Sequence, residues 1–251
     1  MESRVIVDFP ASEQPVWRLV AREILALLAA GVLYPFGLRA PRRSTPRKPA
    51  QRTVVLVHGY LANRSTLLPL AGYLRWRGFH QVLSFNYRSS EGVERGAIAL
   101  RDYLRQRVRG GRIDLVCHSL GGLVARVYLQ QLGGARRVDQ CITLATPHQG
   151  TYNSYWVASR VGRDLRPDSL LLARLEASRH QASPVRFLSV VAGSDNLVVP
   201  RVFAVHEEVV RIPAMGHVGL LFSPRVLRLV ADRLAGASIA GTTPIIGACA
   251  V

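Results

Sequence analysis

Six short apolar runs, each followed by a stretch of helical or loop character, leave this chain few architectures to choose from. The runs are "TVVLVHG" (53–59), "QVLSFNY" (81–87), "IDLVCH" (113–118), "DQCITLAT" (139–146), "VRFLSVVAG" (185–193) and "EEVVRIP" (207–213). The first is rich in β-branched residues without a polar break, as a strand buried on both faces must be. After it, residues 65–77 carry Leu67, Leu68, Leu70 and Leu74 on one helical stripe and stop at Gly78. Further helices are expected over 93–109, over 120–132 ahead of Gly133-Gly134, and over 224–234. Strands and helices alternating at this spacing build βαβ units, hence an α/β fold with a mostly parallel sheet of about six strands flanked by helices. Sites in such sheets form outside the carboxyl ends of the strands. Residues 147–184 break the rhythm. This insertion holds Tyr152, Tyr155 and Trp156 and one helical run, "PDSLLLARLEAS"; an excursion of that length is a lid or an elaborate loop.

The third run ends abruptly in Cys117-His118-Ser119-Leu120-Gly121 and passes straight into a helical pattern. A serine at such a turn takes a strained backbone conformation that lifts its hydroxyl above the sheet, as in the G-x-S-x-G elbow. The flanking positions must be small. Gly121 meets that need, and Cys117 replaces the first glycine with a compact, unbranched residue. A nucleophilic serine needs a base, and the base needs a carboxylate, in the chain order Ser, Asp, His. Asp195 in "AGSDNLVVP" follows the fifth run, and His217 in "AMGHVGLL" follows the sixth. Ser119, Asp195 and His217 therefore fall on one edge of the sheet, each on its own loop. The negative charge of a tetrahedral intermediate needs two backbone N–H donors. Leu120 supplies one and Tyr60 in "VHGY" the other, with Gly59 allowing close approach. His58 is expected to brace that loop, His118 to point away from the site across the turn, and His148 to line the site or structure its loop. His80, His180 and His206 are read as surface or loop residues.

Residues 24–38, "ILALLAAGVLYPFGL", carry no charge, but as a helix they reach only about 22 Å, short of a hydrocarbon core of about 30 Å. Extension back to Trp17 gives a spanning length and takes in Arg18, Arg22 and Glu23. A removable signal peptide does not fit, because Glu2, Asp8 and Glu13 precede the apolar stretch. The following "RAPRRSTPRKPAQR" (39–52) has six positive charges and no negative one. Together these suggest membrane contact through residues 17–38 and 39–52, with the following domain on the cytoplasmic side. The alternative is a hydrophobic helix docked on a soluble cytoplasmic domain. Residues 236–251 read as a loosely held tail.

The formal charge is +17, from 33 basic and 16 acidic residues. All the basic residues but Lys48 are arginine and they are spread along the chain, with no helix-turn-helix or zinc-ligand spacing, so no specific nucleic-acid partner is expected. Cys117, Cys141 and Cys249 make no disulfide framework.

Together, "VVLVHGYLANRSTLLPLAGYL", "LVCHSLGGLVARVYL", "ITLATPHQGTY", "AGSDNLVVP" and "GHVGLL" resemble the α/β-hydrolase superfamily, and within it bacterial triacylglycerol lipases, esterases and GPI-deacylase-like proteins. The resemblance spans about residues 52–235 and departs from the pattern at Cys117. It implies Ser119 as nucleophile, Asp195 as acid, His217 as base and the Tyr60 and Leu120 amides as oxyanion hole. It also implies a lid insertion at 147–184 within a hydrolase domain at 53–235, no metal or organic cofactor, and a lipid or small ester as substrate. Acyl transfer to another acceptor, or a non-catalytic lipid-binding module, would use the same architecture.

Overall fold

The computed structural model describes residues 5–8, 15–39, 52–199 and 208–236. Its elements in chain order are β1 (Val5–Asp8), α1 (Val16–Leu38), β2 (Arg52–Val57), α2 (Leu68–Trp76), β3 (Val82–Phe85), α3 (Val93–Arg107), β4 (Arg112–His118), α4 (Leu120–Gln131), β5 (Val138–Leu144), α5 (Arg160–Asp164), α6 (Leu170–Ala177), β6 (Arg186–Ala192), β7 (Glu208–Ile212) and α7 (Pro224–Leu234). The six strands expected from sequence are β2 to β7. They pair in the order β7-β6-β5-β4-β2-β3, every pair parallel. A seventh strand, β1, joins the β7 edge, also parallel, with Val5 opposite Glu208. At four residues β1 is too short to show alternation; it exists because β7 offers an unpaired edge. The linker residues 40–51, His206, Cys249 and the tail from 237 lie outside the described residues.

The pleat sorts the strand residues into two cores. Val55, Val57, Leu115, Cys117, Cys141 and Phe187 face α3, α4 and the insertion. Val54, Leu56, Val116, Ile142, Leu188 and Val210 face α2 and α7. Continuous burial along β2, from Thr53 to Val57, is what a central strand covered on both sides requires. The stretch read as one helix over 65–77 opens as a 3-10 turn (Arg64–Leu67), capped by Asn63, before α2 begins. Gly78 ends it with φ +90°, a conformation that favours glycine.

The insertion folds into 3-10 turns at 152–156 and 179–182 around α5 and α6. Val161, Leu171, Leu172 and Leu175 are buried in the first core. Arg126 of α4, itself 2% exposed, donates to the carbonyls of His148 and Leu175, pinning the start of the insertion and α6 to one helix. Burial lowers the Arg126 pKa to about 10, so it remains a cation.

Helix α1 lies along the carboxyl edge of the sheet. Pro35 has no N–H to give its own helix, and the helix end is held from outside. Asn63 Nδ2 donates to the Tyr34 carbonyl at 3.0 Å, and Arg64 donates to the carbonyls of Gly37, at 3.2 Å, and Arg39. An arginine at a helix carboxyl end also complements its dipole.

Candidate active site

Strand β4 hands over to α4 with no intervening loop, and Ser119 sits at the joint with φ +52° and ψ −123°. That left-handed conformation disfavours a side chain, and the surroundings hold it there: Ser119 N–H donates to the Leu144 carbonyl at 2.9 Å, extending the β4–β5 ladder. The turn also requires Gly121. A Cβ there would lie 2.7 Å from the carbonyl oxygens of both Val57 and His58. Cys117 fits because its side chain points into the first core, fully buried beside Cys141. Burial, with Cys141 adjacent, pushes its thiol well above the ordinary range, so it stays protonated and unreactive. Ser119 stands at the amino end of the 12-residue α4, where the helix dipole favours negative charge.

His217 Nδ1–H donates to Asp195 Oδ2 at 2.7 Å, and both side chains are almost fully buried. With that proton committed, Nε2 carries the lone pair. Asp195 Oδ1 accepts the amides of Leu197 at 2.8 Å and Val198 at 3.0 Å. Burial would raise the Asp195 pKa, but His217 and these two amides outweigh it and hold the carboxyl below its usual value. The Asp195 loop is tied to the insertion through Thr151 and Asn153, which donate to the carbonyls of Leu197 and Asn196.

Ser119, His217 and Tyr60 line one cavity of about 500 Å³, with Asp195 buried behind the imidazole. Tyr60 follows Gly59, where a Cβ would come within 3.0 Å of the Ser119 Cβ, so the loop after β2 lies directly against Ser119. Leu120 is the first residue of α4. His58 sits behind the loop: Nδ1–H donates to the Gly59 carbonyl at 2.9 Å, and Nε2 accepts from Tyr87 N–H at 3.3 Å. Burial pushes its pKa down to about 4, so it is a neutral brace.

His118 departs from expectation. It lines the cavity instead of pointing away, its ring 4.9 Å from that of His217, and Nε2–H donates to the His217 carbonyl at 3.2 Å. Burial first, and then the neighbouring His217, push it down to about 3, which keeps it neutral. His148 structures its loop by meeting Thr143 Oγ1 at 3.0 Å. His80 and His180 are exposed.

Sequence reasoning missed the far wall of the cavity. Leu27, Ala30, Gly31 and Tyr34 of α1 line it, facing Ser154, Val157 and Leu165 from the insertion. The available signal was Glu23, Ala26 and Ala30 falling on one side of a helix whose other side is apolar. No group of three or more His, Cys, Asp or Glu side chains that could hold a metal occurs among the described residues.

The sequence model of the palmitoyl protein thioesterase family matches residues 81–201. Among solved structures, the chain is similar to Bacillus licheniformis lipase BlEst2 in its mature form, with TM-score 0.59 and 13% identity over 76% of this chain and 96% of that one. It is similar to Aspergillus fumigatus lipase B, with TM-score 0.65 and 15% identity over 80% and 56% of the two chains. The metagenomic carboxyl esterase MGS0156 matches with TM-score 0.55 and 14% identity over 90% and 95%. At these identities the likeness is one of fold.

Proposed function

We propose that this chain, which has the α/β-hydrolase fold, is a serine hydrolase that cleaves acyl esters or thioesters of lipid-like substrates. The observation that carries the reading is the strained Ser119 sharing a cavity with His217, whose Nδ1–H is held by Asp195. In this reading His217 Nε2 takes the Ser119 proton as Oγ attacks the acyl carbonyl, and the Asp195 carboxylate stabilises the imidazolium that forms. The amides of Tyr60 and Leu120 receive the oxyanion. His217 then protonates the leaving alkoxide or thiolate, and water, deprotonated by the same imidazole, releases the acid and restores Ser119. The thioester option rests on the family match over 81–201.

An acyl chain suits the cavity, which is lined mainly by aliphatic side chains and lies within the roughly 300–1,000 Å³ of small-molecule sites. Helix α1 suits a substrate that resides in a bilayer. It has 23 residues, about 34 Å, with mean hydropathy 1.7 in its most apolar window. Trp17, Leu25, Leu28, Val32 and Phe36 are exposed and fall on one side at about 100° per residue. The opposite side faces protein, and Arg18 and Arg22 are exposed near the start. A helix with one side engaged by its own domain fits a membrane interface, apolar side down, better than a span across it.

The test is labelling with a fluorophosphonate, mapped by mass spectrometry, beside hydrolysis of short- and long-chain p-nitrophenyl esters and acyl thioesters. Label on Ser119 is expected, and Ser119→Ala should lose it together with roughly 10⁴-fold or more of the hydrolysis. A folded protein that takes no label and cleaves neither ester class overturns the reading.

A further inference from the structure

The sheet itself sets Ser119 at the end of β4, whereas the segment that follows His217 is gripped by an element far away in the chain. Glu23, the single acidic residue of α1, accepts the Val218 amide on Oε1 at 2.7 Å and the Gly219 amide on Oε2 at 2.9 Å. These are the first two amides after His217, and Gly219 opens a 3-10 turn (Gly219–Phe222) whose leading N–H groups find no partner within the turn itself. Both carboxylate oxygens are thus occupied by charge-assisted bonds to one short piece of backbone. The fit is close on both sides of the histidine. A Cβ on Gly216 would fall 2.2 Å from Glu23 Oε2, and one on Gly219 2.9 Å from it. The glycines before and after His217 leave the room the carboxylate needs.

We propose that Glu23 is a positioning residue for His217, and that through it α1 is a working part of the catalytic site. This rests on the reading of Ser119, Asp195 and His217 as a triad. Glu23 touches neither substrate nor the reacting atoms. It fixes the backbone from which the imidazole projects, so that Nδ1 stays on Asp195 and Nε2 faces the cavity. The same helix walls the cavity with Leu27, Ala30, Gly31 and Tyr34, so displacing α1 opens the acyl chamber and releases the base together.

The full chain in mild detergent tests this with Glu23→Ala, Glu23→Gln, Gly216→Ala and the double variant Glu23→Ala with Gly216→Ala. The rate of fluorophosphonate labelling at Ser119, kcat, KM and the melting temperature are read for each. Glu23→Ala should lower kcat and the labelling rate about 10- to 100-fold, as a misplacement of the order of 1 Å does, with KM within about twofold. Glu23→Gln keeps one acceptor and should fall between. Gly216→Ala should be impaired beside Glu23 and far less so once Glu23 is alanine, the non-additivity expected of residues in contact and not of distant, independent sites. Wild-type labelling rates in Glu23→Ala, a loss confined to KM, or a Gly216→Ala penalty equal in both backgrounds overturns the proposal. An activity loss that merely follows a lowered melting temperature also overturns it. A wild-type protein that takes no label defeats the triad reading first, and this proposal falls with it.

Discussion

Ser119 holds a backbone conformation that serine avoids, and the residues around it show how the strain is contained. Gly121 meets two backbone carbonyls that cannot retreat without breaking β2. Gly121→Ala should therefore cost about 3 kcal/mol, at the upper end of overpacking penalties, and remove labelling at Ser119. Chemical denaturation beside the labelling assay checks both, and wild-type stability would refute the tight-turn account. The residue before the serine carried a wrong expectation. His118 is the last residue of β4, and its ring lines the cavity beside His217 instead of turning away from it. Cys117, one position earlier in the same strand, faces the opposite way and lies in the core.

At the scale of elements, α1 has two sides with separate tasks, and substitutions should separate them. No atom lies within 4 Å of a Cβ built on Gly31, and Gly31 lines the cavity. Gly31→Leu should shorten the preferred acyl chain while leaving short-ester hydrolysis within about twofold. Val32→Arg, on the exposed side, should reduce co-flotation with anionic phospholipid vesicles and leave short-ester hydrolysis intact, since a charge on a buried apolar face opposes insertion. A chain-length profile and a flotation assay read the two. If both variants alter the same property, the division of faces is wrong. The sequence made β2 to β7 and the helices between them legible because each carries its own period within a few residues. It made the three site loops legible because the parallel topology sends every strand end to the same edge. It left α1 as a separate segment, because its contacts are with residues far along the chain: Asn63, Arg64, Val218 and Gly219. A hydropathy pattern records that a face is apolar and says nothing of what covers it. Arg126 was hidden for the same reason, since its partners belong to the insertion.

The molecule as a whole binds its site into the core through neutral imidazoles, and this sets its response to acid. His58 and His118 are lowered from 6.5 to about 4 and about 3 by burial. Between those values and 6.5 the unfolded chain binds more protons than the folded one, so stability is full above pH 6.5 and falls as pH drops through the window. Each imidazole removes about 1.4 kcal/mol per pH unit, or together about 4 kcal/mol between pH 7 and 5. Asp195, held low, adds its loss only below the usual carboxylate range. Urea unfolding at the two pH values checks this, and His118→Gln should roughly halve the slope; a flat profile would show that the imidazoles are hydrated. The bond between Glu23 and the amides of Val218 and Gly219 joins residues 195 and 196 positions apart. A ribosome adding about 5–20 residues per second needs roughly 10–40 s to span that interval. For that time the nascent chain carries Glu23 without the two amides it accepts, and then Ser119 without His217. The proposed triad is therefore incomplete until synthesis has passed the last strand of the sheet.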